Sequence, residues 1–416
     1  MNNYYKLVIY NIALYTFISL NPYIRWLLPN ELFYFFFIAS TFFLAFFLEG
    51  RYYSQFDFSR KKQIIAIYAI IFIIHFTTPI IHDLRIGHLL WITPFLIIIF
   101  YKDKTIYDSY KILKKIMVWV AVASVVYWFL NLLSVPLPYL TFTPDHRQNP
   151  DDYYRIFGLV IGLYRGDVPV GQLIALERLT GVFAEPGHFG IYIGLLLAIE
   201  KFNVEKWDNK ALLLAGLLTF STAFYGILIM ILIYRLIKDR RINKEIRHSI
   251  FAFLVFLLLG TVYKGSAFYE LFLGDVFSDN DTFVLNPLEL TDSRVSEDFI
   301  TNFDSFSNTA DFLFGYGYSD LDSSTIRTTN WRGLVFRFGV IGISIIISFF
   351  IAIIRRTDMV YGILLFSIAL LVLLHRSYLL YTPWMYILLY MATAIDNYNK
   401  TRNLGINYNS KYPVKN

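Results

Sequence analysis

Long apolar runs alternate with short polar loops along most of this chain. A bilayer core about 30 Å thick needs about 20 apolar residues in a helix, and many of the runs approach that length. To within about two to four residues, the pattern predicts membrane-spanning helices at 4–20, 31–50, 63–80, 88–101, 116–134, 188–200, 248–263, 333–354, 359–374 and 378–395. Two long segments, 135–187 and 264–332, are too polar and too rich in turn-forming residues to span.

The segment 211–237 has two interpretations. A single helix would place the basic residues of 235–247 on the opposite side of the membrane from the other basic loops. Two short passes meeting near Thr219, Ser221 and Thr222 would keep all the basic loops together, with the hydroxyls satisfying freed backbone groups. The second interpretation gives about twelve passes and is the one we predict.

The distribution of basic residues predicts the orientation. Lysine-rich stretches fall in loops that share one side with the N-terminus, whereas the loops around Arg25, Arg85 and Arg376 hold one basic residue each. Because positive charge is retained in the cytoplasm, we expect a multi-pass membrane protein with both termini cytoplasmic. The first apolar run lacks a cleavage site and is expected to be retained.

The predicted organisation is all-α, with two large external loops. Its parts are N-terminal transmembrane helices (1–134), a first external loop (135–187), central helices (188–263), a second external loop (264–332), C-terminal helices (333–397) and a cytoplasmic tail (398–416).

Composition supports the membrane assignment and excludes several functions. The chain is 56% hydrophobic and contains no cysteine, so it can form neither a disulfide framework nor a thiolate zinc site. The histidines show no paired metal-ligand spacing, and His82, Asp83 and His88 lack a fixed helical spacing. The net charge of +6 is spread between apolar runs, which does not predict a nucleic-acid surface. We expect no metal and no cofactor.

Candidate chemistry is concentrated where the first external loop meets the next helix. Arg178-Leu-Thr-Gly-Val-Phe-Ala-Glu-Pro-Gly-His-Phe-Gly190 carries charge directly into an apolar run. Glu185, before Pro186 and Gly187, can be a helix cap. It can equally belong to an anion or oligosaccharide site at a helix N-terminus, with Glu185 or His188 as a base. The two interpretations are compatible.

The pattern Arg-x-x-Gly-x-Phe-x-Glu-Pro-Gly-x-Phe resembles that of bacterial O-antigen and capsular repeat-unit polymerases, the Wzy-type family related to O-antigen ligases. The resemblance continues with Arg294, the stretch Phe312-Leu-Phe-Gly-Tyr-Gly317, and Asn330 before the glycine-rich span opening 333–342. It covers residues 178–342 and the plan of about a dozen spans with two dominant outer loops.

The resemblance implies a GT-C-like membrane fold and a metal-independent, inverting glycosyl transfer between two undecaprenyl-diphosphate-linked glycans. By motif match, Arg178 and Arg294 hold diphosphate and sugar. Relatives often have a histidine before the asparagine, but this chain has Thr328-Thr329-Asn330, which leaves Glu185, His188 and His375 as candidate bases. Relatives also often have Ser-Arg where this chain has Ser221-Thr222.

Further outward-facing groups are candidate substrate contacts, each with a simpler alternative. Arg327 and Arg332 can flank the membrane interface, Arg337 can snorkel outward or line a cavity, and His375-Arg376 can be an interfacial anchor. Asn330 is a further candidate substrate contact. Gly315 and Gly317 are expected to be turn glycines, because a lone Gly-x-Gly is weak evidence for a phosphate loop.

Competing functions remain open at this point. An O-antigen ligase would use the same chemistry with a different acceptor. A lipid-oligosaccharide flippase or other transporter would share the span count but would more often show related halves. A dolichyl-phosphate-sugar type of enzyme would usually carry an acidic motif in the first outer loop, which is absent from Asn21–Asn30. The expected partners are lipid-linked glycans, the bilayer and, as a further candidate, a chain-length regulator.

Overall fold

The computed structural model describes residues 3–20, 22–24, 39–40, 95–133, 135–142, 152–158, 160–165, 178–238, 248, 297–315, 331–375 and 383–403. Within them the helices are α1 (Asn3–Ser19), α2 (Asp103–Leu132), α3 (Pro186–Ile199), α4 (Trp207–Leu218), α5 (Thr222–Lys238), α6 (Glu297–Ser307), α7 (Asp311–Phe314), α8 (Trp331–Ile354), α9 (Met359–His375) and α10 (Trp384–Asn403). The strands are β1 (Leu140–Phe142), β2 (Asp152–Phe157) and β3 (Val160–Arg165).

The prediction of a mostly helical protein is confirmed. Among the described helices, α2 and α8 are long and apolar enough to cross a membrane, and α3 and α9 are shorter apolar helices. The span predicted at 63–80 lies outside the described residues, and so do all of 31–50 except 39–40, all of 248–263 except 248, and the first half of 88–101.

Ion pairs mark one end of the helix bundle. They connect residues near the starts of α2, α4 and α9 and near the ends of α3, α5 and α10: Lys114 with Glu200 at 3.3 Å and with Asp208 at 3.7 Å, Lys201 with Asp396 at 2.6 Å, and Lys238 with Asp358 at 3.7 Å. The start of α1 lies there too, because the Tyr5 hydroxyl donates to Asp108 at 2.8 Å. We call this the lysine end.

The opposite end carries the sheet, the end of α1, and the starts of α3, α5 and α8, and we call it the loop end. Each described helix of the bundle therefore has one terminus at each end. The lysine stretches at 102–115 and 201–210 share one end with the described beginning of α1 and end of α10, as the charge pattern predicts.

The core is aromatic, and its hydroxyls bond to helix carbonyls. Tyr110 donates to Leu196 O at 3.4 Å, and Tyr390 donates to Ile99 O at 2.7 Å. Both tyrosines are buried. A buried hydroxyl without a partner would be unfavourable, so these bonds let large aromatic rings fill the space between helices.

The chain reverses direction inside the segment 211–237, where α4 ends and α5 begins. The Tyr225 hydroxyl donates to Leu217 O at 2.7 Å, a contact that a single straight helix would not allow. A Cβ on Gly190 would lie 2.9 Å from Phe224 Cβ, and a Cβ on Gly194 would lie 2.9 Å from Ile227, so α3 and α5 run parallel. The predicted break is confirmed at its predicted place.

The segment 135–187 contains a β-sheet that the sequence did not predict. Strands β1, β2 and β3 form an antiparallel sheet in that order, with Tyr154 opposite Phe142 on one side and Leu163 on the other. Gly158 begins the two-residue turn between β2 and β3 with φ +69°, a conformation that favours glycine. Aromatic and β-branched residues dominate both long strands, which is typical of β structure.

Helix boundaries differ from the predicted spans where polar residues continue a helix. Helix α2 begins at Asp103 rather than near 116, and α10 runs from Trp384 to Asn403 rather than over 378–395, so it continues past the predicted tail boundary at 398. Hydropathy detects only the apolar part of a helix. Polar turns continue it through pairs such as Asp396 with Lys400 at 2.6 Å.

Candidate functional site

The segment 178–185 lies between the sheet and the helices at the loop end. Three backbone hydrogen bonds join it to three separate parts of the chain: Ile161 N–H to Gly181 O at 2.8 Å, Tyr23 N–H to Val182 O at 2.8 Å, and Leu179 N–H to Leu218 O at 3.1 Å. Because each bond comes from a different element, the path of the segment is fixed from three sides.

Gly181 is required at its position. Its φ is +64°, and a Cβ there would lie 2.9 Å from the Phe189 ring. Phe189 in turn packs against Phe183, with ring centroids 5.6 Å apart. The glycine therefore allows the segment to lie directly on the first turns of α3.

Arg178 binds the turn between α4 and α5. Its Nε donates to Thr219 O at 3.3 Å and one terminal nitrogen donates to Phe220 O at 2.7 Å. Carbonyls at the end of a helix lack intrahelical partners and carry partial negative charge, which a guanidinium satisfies. Arg178 thus has a structural role beside the substrate-binding role predicted for it.

The turn itself has an unusual backbone. Phe220 has φ +46°, a conformation that non-glycine residues rarely adopt. The Thr219 hydroxyl donates to Gly216 O at 2.6 Å, and Ser221 Oγ accepts from Phe224 N–H at 3.4 Å. Hydroxyls satisfy backbone groups here as predicted, and the guanidinium of Arg178 adds to them.

Glu185 occupies the N-cap position of α3, but its side chain does not cap the helix. Its φ of −142° and ψ of 145° are those of an N-cap, and Pro186 follows at the first helical position. Within the described residues, its side chain makes no cap hydrogen bond. The capping interpretation therefore holds for the backbone, while the half-buried carboxylate lies at a helix N-terminus without capping it.

His188 differs from expectation. The sequence predicts it as a candidate base at a helix N-terminus, but the residue is only 6% exposed. Its ring lies 6.4 Å from that of Tyr192, in the first turn of α3. His188 is therefore packed among the helices, whereas Glu185 is half-buried at the start of α3.

Tyr154 was missed as a positioning residue. It is buried in β2, and its hydroxyl donates to Ala184 O at 2.9 Å, directly before Glu185. The aromatic and β-branched residues within 152–157 were the available signal. It did not reveal that the strand contacts a segment thirty residues later.

The start of α8 brings two predicted arginines to the loop end. Arg332 lies over the rings of Trp331 and Phe303, at 5.6 and 5.8 Å from their centroids, a cation–π arrangement. Arg337 is half-buried and lies two residues before a kink at Gly339.

The two glycine motifs at 312–317 and 333–342 contact each other. Gly315 ends α7 with φ +81°, and a Cβ there would meet the backbone of Arg337. Gly339 has φ +64°, and a Cβ there would meet the backbone at Leu313 and Phe314. Gly315 is therefore a turn glycine, as predicted, and it also allows α7 to lie against the kink of α8.

Five further predicted site residues lie outside the described part of the chain or at its edge. Arg294, Arg327, Asn330 and Arg376 lie outside the described residues, and His375 is described only as the last residue of α9. Among the described residues, no group of three or more histidine, aspartate and glutamate side chains could hold a metal ion.

The described part of the site is therefore one end of the bundle. It presents a carboxylate at a helix N-terminus, an arginine on a strained turn, and two further arginines at the start of α8. Fixed cations and a positioned carboxylate are suited to binding an anionic substrate and accepting a proton. No protein-family model, curated protein or solved structure matches this chain.

Proposed function

We propose that this protein is a membrane-embedded glycosyltransferase that polymerises undecaprenyl-diphosphate-linked oligosaccharide repeat units into O-antigen or capsular polysaccharide at the external face of a bacterial cytoplasmic membrane. The proposal joins the motif resemblance at residues 178–342 to the arrangement at the loop end. It includes about twelve passes, a GT-C-like fold and cytoplasmic termini.

The observation that carries the proposal is the placement of Glu185. Its backbone is fixed by a segment bonded to three elements, yet within the described residues its carboxylate makes no cap hydrogen bond to α3. A structural cap would use that carboxylate on the helix amides. The half-buried side chain of Glu185, at this fixed backbone position, is our candidate general base.

In the proposed reaction, a hydroxyl of the acceptor glycan attacks the anomeric carbon of the donor glycan. The new glycosidic C–O bond forms as the bond to the diphosphate oxygen breaks, with inversion at that carbon. Glu185 takes the proton of the hydroxyl, and undecaprenyl diphosphate leaves. The leaving group is good, so orientation and charge neutralisation supply most of the catalysis.

Arginines suit the diphosphate in this scheme. A guanidinium gives paired donors in a fixed plane, which matches phosphate geometry better than an ammonium. Arg178 and Arg294 are assigned this role by motif. Arg327, Arg332, Arg337, Asn330, His375 and Arg376 complete the proposed substrate contacts.

The test uses purified protein with lipid-linked repeat units. Glu185→Gln keeps the shape of the side chain and removes its basicity, so it should bind the repeat unit and fail to extend it. His188→Ala serves as the comparison and should retain turnover. Wild-type extension by Glu185→Gln, with loss in a His188 or His375 variant, would transfer the role to histidine.

The glycan pattern of a deletion strain separates the competing functions. Single repeat units on the lipid core indicate a lost polymerase, whereas free polymer indicates a lost ligase. Repeat units retained on the cytoplasmic side would indicate a flippase and contradict the proposal.

A further inference from the structure

The lysine end contains a cavity of about 740 Å³ that the proposed glycosyl transfer does not use. It lies between the starts of α2 and α4 and the ends of α3 and α10. Five lysines line it against three carboxylates, an excess of two positive charges: Lys111, Lys114, Lys115, Lys201 and Lys206 against Glu200, Asp208 and Asp396.

The carboxylates are already compensated. Glu200 accepts from Lys206 at 2.8 Å and lies 3.3 Å from Lys114. Asp396 is 3% exposed and lies 2.6 Å from both Lys201 and Lys400. The acids therefore hold the inner lysines in place and leave the excess positive charge to the rim.

Lys111 and Lys115 form that rim. Both side chains are exposed on α2. Lys111 lies 3.4 Å from Asp108 and over the Tyr107 ring at 4.1 Å. An anion entering the cavity would meet these two ammonium groups first.

An apolar stripe continues from the cavity along the same helix. Trp119 lines the cavity and is 61% exposed, and Val126, Phe129 and Leu133 follow it as exposed side chains. At 1.5 Å per residue, the stripe from 119 to 133 is about 21 Å long. Trp207, 64% exposed, lines the cavity at the start of α4, as expected of an aromatic residue at a membrane interface.

We infer that this cavity binds the phosphate-bearing headgroup of an anionic phospholipid, with an acyl chain along the exposed stripe of α2. Basic pockets between membrane helices suit such headgroups, and each lysine near the surface contributes attraction. A free phosphate would use the same lysines, but it would gain nothing from Trp119 and the stripe. The inference rests on membrane insertion and is independent of the glycosyl transfer.

The test is native mass spectrometry of the full chain in detergent, with phosphatidylglycerol, phosphatidylethanolamine or glycerol phosphate added. We expect phosphatidylglycerol to bind the wild type at least roughly tenfold more tightly than phosphatidylethanolamine. The double variant Lys111→Gln/Lys115→Gln should weaken the binding of phosphatidylglycerol by roughly fivefold per lysine. Lys210→Gln removes an exposed lysine of α4 outside the cavity and should leave binding unchanged.

Trp119→Gln separates the two sources of phosphate. This variant should weaken the binding of phosphatidylglycerol and leave the binding of glycerol phosphate unchanged. Equal binding of the two lipids, or equal loss in the Lys210→Gln control, would overturn the inference. So would glycerol phosphate binding as tightly as the lipid, which would indicate a soluble anion.

Discussion

The two ends of the helix bundle are held together by different interactions. At the lysine end, side chains pair across helices, as in Lys201 with Asp396. At the loop end, the backbone of 178–185 bonds to three separate elements and Arg178 bonds to two carbonyls. The carboxylates of these pairs are largely buried, but lysines such as Lys201 and Lys206 are long, partly exposed side chains that can adjust their position. Backbone bonds fix a path, so the loop end is the one built to hold groups in a defined geometry.

The sharpest test of this contrast is whether the two ends lie on opposite sides of the membrane. Single cysteines can be labelled cleanly because the chain contains none. Asp304→Cys on α6 and Glu205→Cys before α4 both replace exposed acidic residues. An impermeant maleimide applied to intact cells should label the first and reach the second only after permeabilisation. Labelling of both from outside would contradict the proposed orientation.

Arg178→Ala should abolish polymer formation. The change removes a cation from the proposed diphosphate site and leaves the carbonyls of Thr219 and Phe220 without their charged donor. Loss of such bonds costs about 1.5–3 kcal/mol, so the melting temperature should fall as well. Arg178→Lys should restore part of the polymer, because the charge returns without the bidentate geometry.

Arg294→Ala is the comparison for Arg178. It should abolish polymer while membrane abundance stays normal. If both alanine variants produce polymer of wild-type length, neither arginine belongs to the mechanism.

Gly181→Ala and Gly158→Ala form a matched pair at the loop end. Gly181 has φ +64° and Gly158 has φ +69°, so each alanine meets a backbone penalty of about 1–2 kcal/mol. A Cβ at Gly181 also meets the Phe189 ring at 2.9 Å, whereas nothing lies within 4 Å of one at Gly158. Chemical denaturation should show Gly181→Ala to be the more destabilising by about 1 kcal/mol or more. Equal losses would show that Phe189 moves aside readily.

The smallest expected effect is a pH dependence at the lysine end. Burial alone would raise the pKa of Glu200, but the hydrogen bond from Lys206 and the charge of Lys114 outweigh it and lower that pKa. The stabilisation is therefore complete above the ordinary pKa of 4.5 and is lost as pH falls through the lowered value.

Thermal denaturation between neutral pH and pH 3 should show this loss in the wild type. Glu200→Gln should be less stable than the wild type at neutral pH, because Lys114 loses its carboxylate partner at 3.3 Å. The variant should also lose less stability than the wild type on acidification. An identical acid slope in both proteins would show that the pairs around Glu200 contribute nothing measurable.

Much of the helical plan follows from the sequence because burying apolar surface is a local, additive property. The runs at 4–20, 188–200, 333–354 and 359–374 became helices with nearly those boundaries. The break in 211–237 was predicted from charge and hydroxyls alone, since a basic cluster limits which side of a membrane a loop can occupy. The apolar runs did not reveal the polar extensions of α2 and α10. Water and ion pairs stabilise these helical turns, whose side chains are polar.

The site was identified by sequence only as a stretch of unusual residues. The sequence by itself placed Arg178 and Glu185 beside a helix start and gathered lysines into shared loops, because local spacing and charge decide both. Only the tertiary structure decided that Arg178 binds the α4–α5 turn, that Tyr154 supports the carbonyl before Glu185, that His188 is buried, and that Gly315 lies against Gly339. Those contacts join residues far apart in the chain, and their energies depend on geometry that arises when the helices and the sheet pack together.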